Sequence, residues 1–328
     1  MKATAKANTN IALIKYWGKR DEQLFLPMNS NLSITLDRFS TTTTVHIHTD
    51  RKEDIFLLNG QEEGEEETRK ISRFLDIIRM QTGEQWAATV DSINHVPTAA
   101  GFASSASGYA ALAAAATKAV GLELSDPQLS VLARQGSGSA CRSIYGGFVE
   151  WKKGERKDGL DSHAVPILAQ KEWDLSILSV LVESKRKKVL SREGMKRTVE
   201  TSPFYTGWLE AVKKDMQLAK DAIFRRDFEK LGMVLESNAM KMHATTLGAN
   251  PPFMYWQSAT FDVMEQVQEL RMQGILAYFT IDAGPNVKVL CEPHNEEKVS
   301  KILKALPTVQ DVFICHPGNG VTYLPTSF

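Results

Sequence analysis

The chain has 328 residues, of which 43% are hydrophobic and 24% are charged, as in an ordinary soluble globular protein. Its 39 Lys and Arg residues balance its 39 Asp and Glu residues, so no overall positive field exists to attract nucleic acid or a membrane. At this length two domains are expected rather than one.

The cysteines and the N-terminus predict the compartment. Cys141, Cys291 and Cys315 are odd in number and widely spaced, so a disulfide framework or a zinc site is not expected. The basic residues at the N-terminus are followed by no apolar core of the signal-peptide type. We therefore expect a cytoplasmic protein.

The first half of the chain is predicted to contain most of the strands, because β-branched and alternating apolar residues are frequent there. The predicted strands cover residues 11–16, 32–36, 41–48, 87–93, 146–151 and 175–182. A helix is expected to open in the acidic segment 61–70, and a second helix is expected over 108–120. Residues 97–107 are expected to form a loop, and Ser125 is suited to cap a third helix.

The second half is predicted to be more helical. The strongly charged segment 183–192 is interpreted as the junction between domains 1–184 and 185–328. Beyond it, apolar residues keep helical spacing. This spacing predicts helices over residues 208–223, 228–235 and 261–270.

A turn near the C-terminus carries a candidate catalytic acid. Asp282 follows the strand-like run 277–281, and a second such run, 287–290, begins after Gly284-Pro285-Asn286. An Asp before Gly-Pro often bonds its own backbone within a turn. Alternatively, the strands hold the carboxylate still where a substrate can reach it. The residues alone leave both interpretations open.

Two segments rich in glycine and serine are candidate anion sites. Residues 97–108 carry glycines and hydroxyls before a predicted helix, whose free N–H groups favour negative charge. The segment matches neither the lysine-containing P-loop nor GxGxxG. Residues 136–143 combine two serines with Arg142, whose planar fork suits carboxylate or phosphate. Alternatively, residues 97–108 form a flexible turn and residues 136–143 form a linker.

Two basic clusters add further candidates. Lysines flank the aromatic pair Tyr16-Trp17 directly after a predicted strand, and residues 185–188 form a basic run that Arg192 extends. A position after a strand end favours a binding site. Alternatively, both clusters are ordinary solvent-exposed surface residues. His46 and His48 share one strand face but suggest no third metal ligand.

In this order the motifs resemble the GHMP kinase superfamily and, within it, the bacterial type of the diphosphomevalonate decarboxylase family. The resemblance runs almost end to end and rests on residues 8–19, 97–107, 136–143 and 282–286. It implies an α+β fold of two domains. The first would be ribosomal-S5-like and the second a helix-covered antiparallel sheet, with the active site in the cleft between them.

The resemblance also implies a reaction, in which ATP drives decarboxylation of mevalonate 5-diphosphate with the help of Mg²⁺. The implied catalytic residues are Asp282, Arg142 and Lys15. The implied substrate-binding residues are Asn10, Tyr16, Lys19, Ser137, Ser139, Arg142 and Arg192. The implied ATP-binding residues are Ala100, Gly101, Ala103, Ser104, Ser105, Ser107 and Lys187, with Ser105 also near the metal. A homodimer is implied by the same resemblance.

Two alternative functions are compatible with the same motifs. One is a kinase or decarboxylase that acts on mevalonate, its 5-phosphate or its 3,5-bisphosphate. The other is a ligand-binding regulator without turnover, against which the presence of both Asp282 and Arg142 argues.

Overall fold

The structure is a computed structural model that describes residues 1–95, 104–183 and 189–325. It confirms the predicted α+β class, because helices cover two main sheets that are mostly antiparallel. The strands are β1 (Lys2–Ile14), β2 (Lys19–Asp21), β3 (Leu26–Pro27), β4 (Asn31–His48), β5 (Ile55–Leu58), β6 (Gln61–Glu62), β7 (Ala87–Asn94), β8 (Phe148–Trp151), β9 (Ala164–Leu168), β10 (Ser176–Leu181), β11 (Ala277–Ile281), β12 (Val287–Cys291), β13 (Asp311–Cys315) and β14 (Thr322–Leu324). The helices are α1 (Glu65–Thr82), α2 (Ser104–Ala119), α3 (Asp126–Gly136), α4 (Ser191–Thr201), α5 (Tyr205–Arg225), α6 (Phe228–Leu247), α7 (Ser258–Met272) and α8 (Glu296–Lys304).

The first lobe is built on the long antiparallel pair β1 and β4. Their register runs from Lys2 opposite His46 to Ile14 opposite Leu32, and the sheet order is β14-β1-β4-β7-β5-β6. Strands β8 and β9 extend from the other half of β4. Helix α2 packs across β1 and β4, where its fully buried alanines let it lie close to the sheet. A 3₁₀ helix, Gly138–Ile144, follows α3 directly.

The second lobe is a four-stranded sheet of order β11-β12-β10-β13. Apolar stripes on α5, α6 and α7 bury against it, as the helical spacing predicts. The expected domain boundary at residue 184 differs from this topology, because β10 ends at Leu181 and already pairs with β12 and β13. The last strand, β14, returns to β1 in the first lobe. Pairing between distant strands cannot be inferred from a local charged segment.

Two local expectations also change. Residues 32–36 and 41–48 belong to one continuous strand, because exposed Asp37 and Arg38 interrupt the apolar pattern but not the backbone. Residues 104–107, expected in a loop, form the first turn of α2. In the described part of the chain, no helix combines the length and apolar character needed to cross a bilayer.

Gly18 is required where the chain leaves β1. Its φ is 100°, and an added Cβ would collide with the hydroxyl of Tyr205, which donates to the Trp17 carbonyl at 2.7 Å. We expect Gly18→Ala to lower the free energy of unfolding by about 1–3 kcal/mol. Chemical denaturation measures this change. Gly60→Ala is the control, since Gly60 has φ 77° but a Cβ there meets no described atom within 4 Å. Equal losses in both variants would contradict the steric explanation.

Candidate active site

An acid–lysine pair joins the two lobes. Lys15 follows the last residue of β1, and Asp282 follows the last residue of β11, so each side chain is fixed at a strand end. Lys15 Nζ lies 2.7 Å from Asp282 Oδ1 and donates to the Ala12 carbonyl at 2.9 Å. Lys15 is buried, whereas the Asp282 side chain is 48% exposed. The acid can therefore meet a ligand while the lysine supports it from within.

The charges around Asp282 keep it ionised. Partial shielding from water would by itself raise its pKa, but the positive charges of Lys15, Lys288 and Arg142 outweigh this and lower the pKa. Burial lowers the pKa of Lys15, and attraction to Asp282 partly opposes that effect. Lys288, buried on β12, has its pKa lowered to about 8 by burial. At neutral pH the site thus presents a carboxylate among cations.

Arg142 is oriented by two buried asparagines. Its Nε and Nη2 donate to Asn10 Oδ1 at 3.1 and 2.9 Å, and its Nη1 donates to Asn31 Oδ1. Asn10 Nδ2 in turn donates to Ser143 Oγ at 2.7 Å and to the Ser139 carbonyl at 3.1 Å. Arg142 is only 3% exposed. A guanidinium with this many fixed bonds is pre-organised to receive a carboxylate with its remaining N–H groups.

The substrate-binding candidates Tyr16, Lys19 and Arg192 surround the turn after β1. The Tyr16 ring packs against Trp151 at 4.7 Å, and its buried hydroxyl has no hydrogen-bond partner among the described residues. The Lys19 ammonium and the Arg192 guanidinium lie 4.5 and 5.2 Å from the centre of the Phe25 ring. Lys19 also contacts Glu22 at 2.5 Å. Two cations and an unpaired hydroxyl suit an anionic group.

The serines divide into two groups. Ser137 Oγ lies 3.3 Å from Ser105 Oγ, so the start of α2 and the end of α3 share one hydroxyl-lined face. Ser105 is exposed, whereas Ser137 and Ser139 are half-buried. Ser107 differs from the prediction, because it is fully buried and its hydroxyl contacts Thr41 Oγ1 at 2.8 Å. Its helical position turns it toward the sheet, since Thr41 lies on β4.

Several ATP-binding candidates lie outside the described residues, namely Ala100, Gly101, Ala103 and Lys187. Ser104 begins α2, but its side chain is not described. Ser105 fits a magnesium ion that arrives on a nucleotide, since Mg²⁺ usually takes most of its oxygen ligands from phosphates and water. The described residues contain no group of three His, Cys, Asp or Glu side chains that could hold a metal by themselves.

Sequence reasoning missed the residues that support this site from behind. Asn31, Asn238 and Lys288 are buried and face the predicted residues from β4, α6 and β12. His243, on α6, also belongs to this group, because its Nε2 lies 3.2 Å from the carbonyl of Ile281, directly before Asp282. Burial lowers the pKa of His243 to about 4, so the ring is neutral and Nε2 donates this bond. These residues carry no local motif.

A separate cleft of 830 Å³ lies between β8 and α5. Its lining contains none of the predicted site residues. Three of its lysines pair with acids, in the pairs Lys220–Glu150, Lys153–Glu155 and Lys213–Glu210. Because these charges already compensate each other, we assign no substrate to the cleft.

Two lobes that meet at an acid–lysine pair, with a hydroxyl-lined helix start in the first lobe, define an enzyme of the GHMP kinase class. Family models agree in both lobes. The diphosphomevalonate decarboxylase-like N-terminal domain matches residues 7–164, and the mevalonate 5-diphosphate decarboxylase C-terminal domain matches residues 177–317. The chain therefore belongs to the diphosphomevalonate decarboxylase family.

Individual relatives agree along most or nearly all of the chain. The diphosphomevalonate decarboxylase of Bos taurus is 40% identical over 87% of this chain and 76% of its own length. The mevalonate diphosphate decarboxylase structure from Staphylococcus aureus has a TM-score of 0.94 and 46% identity, covering 99% of this chain and 98% of its own. A structure described as MDDEF in complex with MVAPP, AMPPCP and magnesium has a TM-score of 0.93 and 49% identity, covering 99% of both chains. The expected two-domain GHMP kinase fold is confirmed.

Proposed function

We propose that this protein is an ATP-dependent decarboxylase of mevalonate 5-diphosphate. The products are isopentenyl diphosphate, carbon dioxide, ADP and phosphate. The observation that carries the proposal is the 2.7 Å contact between Lys15 and the half-exposed Asp282, with Arg142 close enough to lower the pKa of the same acid. Family membership and the similar structure described with MVAPP, AMPPCP and magnesium support it.

The proposed roles follow from the charges. The 3-hydroxyl of the substrate is a poor leaving group, so ATP first phosphorylates it, with Asp282 accepting or positioning its proton. Lys15 keeps Asp282 ionised and offsets charge as the phosphoryl group moves. Loss of the phosphate leaves an electron-deficient carbon. The carboxylate held by Arg142 then leaves as carbon dioxide, and its electron pair forms the alkene.

The remaining candidates hold the phosphates. Tyr16, Lys19, Arg192, Ser137 and Ser139 are proposed for the diphosphate of the substrate, with Asn10 orienting Arg142. The start of α2, with Ser104 and Ser105, is proposed for ATP, together with Ala100, Gly101, Ala103 and Lys187. When bound, Mg²⁺ would be held by ATP phosphates and Ser105, where it would neutralise phosphate charge. The side chain of Ser107 is left out because it is buried.

Replacing Ser137 and Ser139 together with alanine tests the diphosphate site. Both serines lie on the 136–143 segment that also carries Arg142. We expect the Kd of mevalonate 5-diphosphate to rise by roughly 100-fold or more, because two hydrogen bonds to a charged group, worth about 1.5–3 kcal/mol each, are lost. The Kd of ATP should change less, and calorimetry measures both. Equal weakening of the two ligands would contradict a dedicated diphosphate site.

The reaction itself is tested by turnover with mevalonate 5-diphosphate and ATP, following ADP and carbon dioxide together. We expect one carbon dioxide for each ADP, and little turnover with mevalonate, its 5-phosphate or its 3,5-bisphosphate. ADP release without carbon dioxide would instead identify a kinase. Nucleotide binding without ADP production from any of these substrates would identify a regulator.

The compartment and the assembly are also proposals. All three cysteines are buried and unpaired, which supports a reducing cytoplasm. A homodimer is proposed by family analogy, and light scattering of the purified protein measures its mass. The neutral net charge gives no reason to propose a nucleic-acid or membrane partner.

A further inference from the structure

The main chain at Lys15 is held by an asparagine from each lobe. Asn238 Oδ1 accepts a hydrogen bond from the Lys15 N–H at 2.8 Å, and Asn29 Nδ2 donates to the Lys15 carbonyl at 2.8 Å. Asn29 precedes β4 in the first lobe, whereas Asn238 lies on α6 of the second lobe. Both peptide groups of Lys15 are therefore fixed by side chains at the point where β1 has ended.

Asn238 is itself oriented by charge. Its Nδ2 donates to Asp215 Oδ2 at 2.9 Å, and Lys241 Nζ contacts the two Asp215 oxygens at 2.8 and 2.9 Å. Asn238 is fully buried and Asp215 is only 4% exposed, so water does not replace these bonds. Because the NH₂ group must face the carboxylate, the amide oxygen must face the Lys15 N–H. Asp215 thus selects the amide orientation that Lys15 needs.

The same helix also reaches the other member of the pair. His243 on α6 donates to the carbonyl of Ile281, the residue before Asp282. His243 lies five positions after Asn238, which is about 7.5 Å along a helix. Helix α6 packs against both β1 and β11. It therefore spans the two strand ends that carry Lys15 and Asp282.

We propose that Asn238, held by Asp215, is a positioning residue that sets the distance between Lys15 Nζ and Asp282. Asn238 lies behind Lys15 and acts through the main chain of that residue rather than on the substrate. The proposal deepens the function proposed above and rests on it for its kinetic consequences. The Lys15–Asp282 distance that it predicts can be measured without any turnover.

Asn238→Ala provides the kinetic test. We expect kcat to fall on the order of 10- to 100-fold, because a small misplacement of catalytic groups is costly, while the KM for ATP changes little. The groups facing Asp282 are Lys15, Lys288, Arg142 and neutral His243, and the variant weakens the attraction of Lys15. The pKa of Asp282 then rises, so the acid limb of kcat/KM should move to higher pH by about 0.5–1 unit.

Three further variants separate positioning from stability. Asp54 is also buried and accepts from a main-chain N–H, that of Ala88 at 2.8 Å, and from Arg79 at 2.6 Å. Asp54→Ala should lower Tm but leave the acid limb of the kcat/KM pH profile where it is in the wild-type protein. Asp215→Asn keeps an acceptor for Asn238, so its acid limb should lie at the wild-type pH. Asp215→Leu removes that acceptor, so its acid limb should move to higher pH. A wild-type limb and kcat in stable Asn238→Ala protein would overturn the proposal.

A crystal structure of Asn238→Ala supplies a readout that needs no activity. We expect the Lys15 Nζ–Asp282 distance to grow from 2.7 Å to beyond about 4 Å, the limit of an ion pair. If the wild-type protein does not decarboxylate, the proposed function fails while this distance still tests the positioning. Should Asn238→Ala fail to fold, the same distance is measured in Asp215→Leu, which removes the acceptor that orients the Asn238 amide. An unchanged distance would overturn the proposal in either variant.

Discussion

Asp282→Asn should reduce turnover by about 10²–10⁴-fold, the usual contribution of a positioned base. The amide has the same shape but cannot accept a proton, and it no longer balances the charge of Lys15 at 2.7 Å. Nucleotide binding should be nearly unchanged, because Asp282 lies at the end of β11 and not at the start of α2. Coupled measurement of ADP and carbon dioxide, with calorimetry for the nucleotide, checks both statements.

Asp311→Asn is the matched control for this variant. Asp311 begins β13, its side chain is 45% exposed, and it faces Lys304 at 3.4 Å, so it resembles Asp282 in setting but lies in another ion pair. We expect wild-type turnover from it. Wild-type turnover from Asp282→Asn would refute the catalytic role of Asp282. A loss of nucleotide binding in that variant would show that Asp282 serves ATP rather than mevalonate 5-diphosphate.

Arg142→Lys should lower kcat/KM for mevalonate 5-diphosphate by roughly 10- to 150-fold, equivalent to losing a charged hydrogen bond of about 1.5–3 kcal/mol. Lysine keeps the positive charge but lacks the planar fork that Asn10 and Asn31 orient. The effect should fall on the substrate with the carboxylate rather than on ATP. Steady-state kinetics with each ligand varied in turn measures the difference.

Arg134→Lys separates this effect from simple loss of a buried arginine. Arg134 on α3 is fully buried, and it donates to the carbonyls of Leu24 at 3.0 Å and Gly159 at 2.7 Å. We expect this variant to lower Tm while it leaves the ratio of the two KM values unchanged. If Arg142→Lys behaves in the same manner, Arg142 is structural and does not hold the carboxylate.

The sequence predicts the parts of the fold that depend on local pattern. The predicted strands 11–16, 32–36 and 41–48 fall largely within β1 and β4, and the helical stripes of α5, α6 and α7 follow from apolar spacing. Membership of a sheet is different, because it depends on partners far along the chain. Strand β10 pairs with β12, more than 100 residues later, so the expected boundary at 184 comes too late.

Site residues in a local sequence pattern are predicted, whereas site residues defined by contacts far along the chain are missed. Asp282 and Arg142 stand in recognisable turns and Gly/Ser-rich segments, because a group that meets a ligand needs a special backbone there. Asn31 and Asn238 sit in an ordinary strand and an ordinary helix. Their significance comes from contacts across 111 and 223 positions, to Arg142 and Lys15 respectively. No local pattern records such contacts.

A crystal structure of the wild-type protein with mevalonate 5-diphosphate, AMPPCP and Mg²⁺ tests the central claim most directly. That claim is that Asp282, Arg142 and the hydroxyl-lined start of α2 serve one reaction between mevalonate 5-diphosphate and ATP. The account predicts the 3-hydroxyl oxygen within about 3.2 Å of an Asp282 oxygen and the substrate carboxylate on Arg142. A ligand bound with its 3-hydroxyl out of reach of Asp282, or in the cleft between β8 and α5, would contradict it.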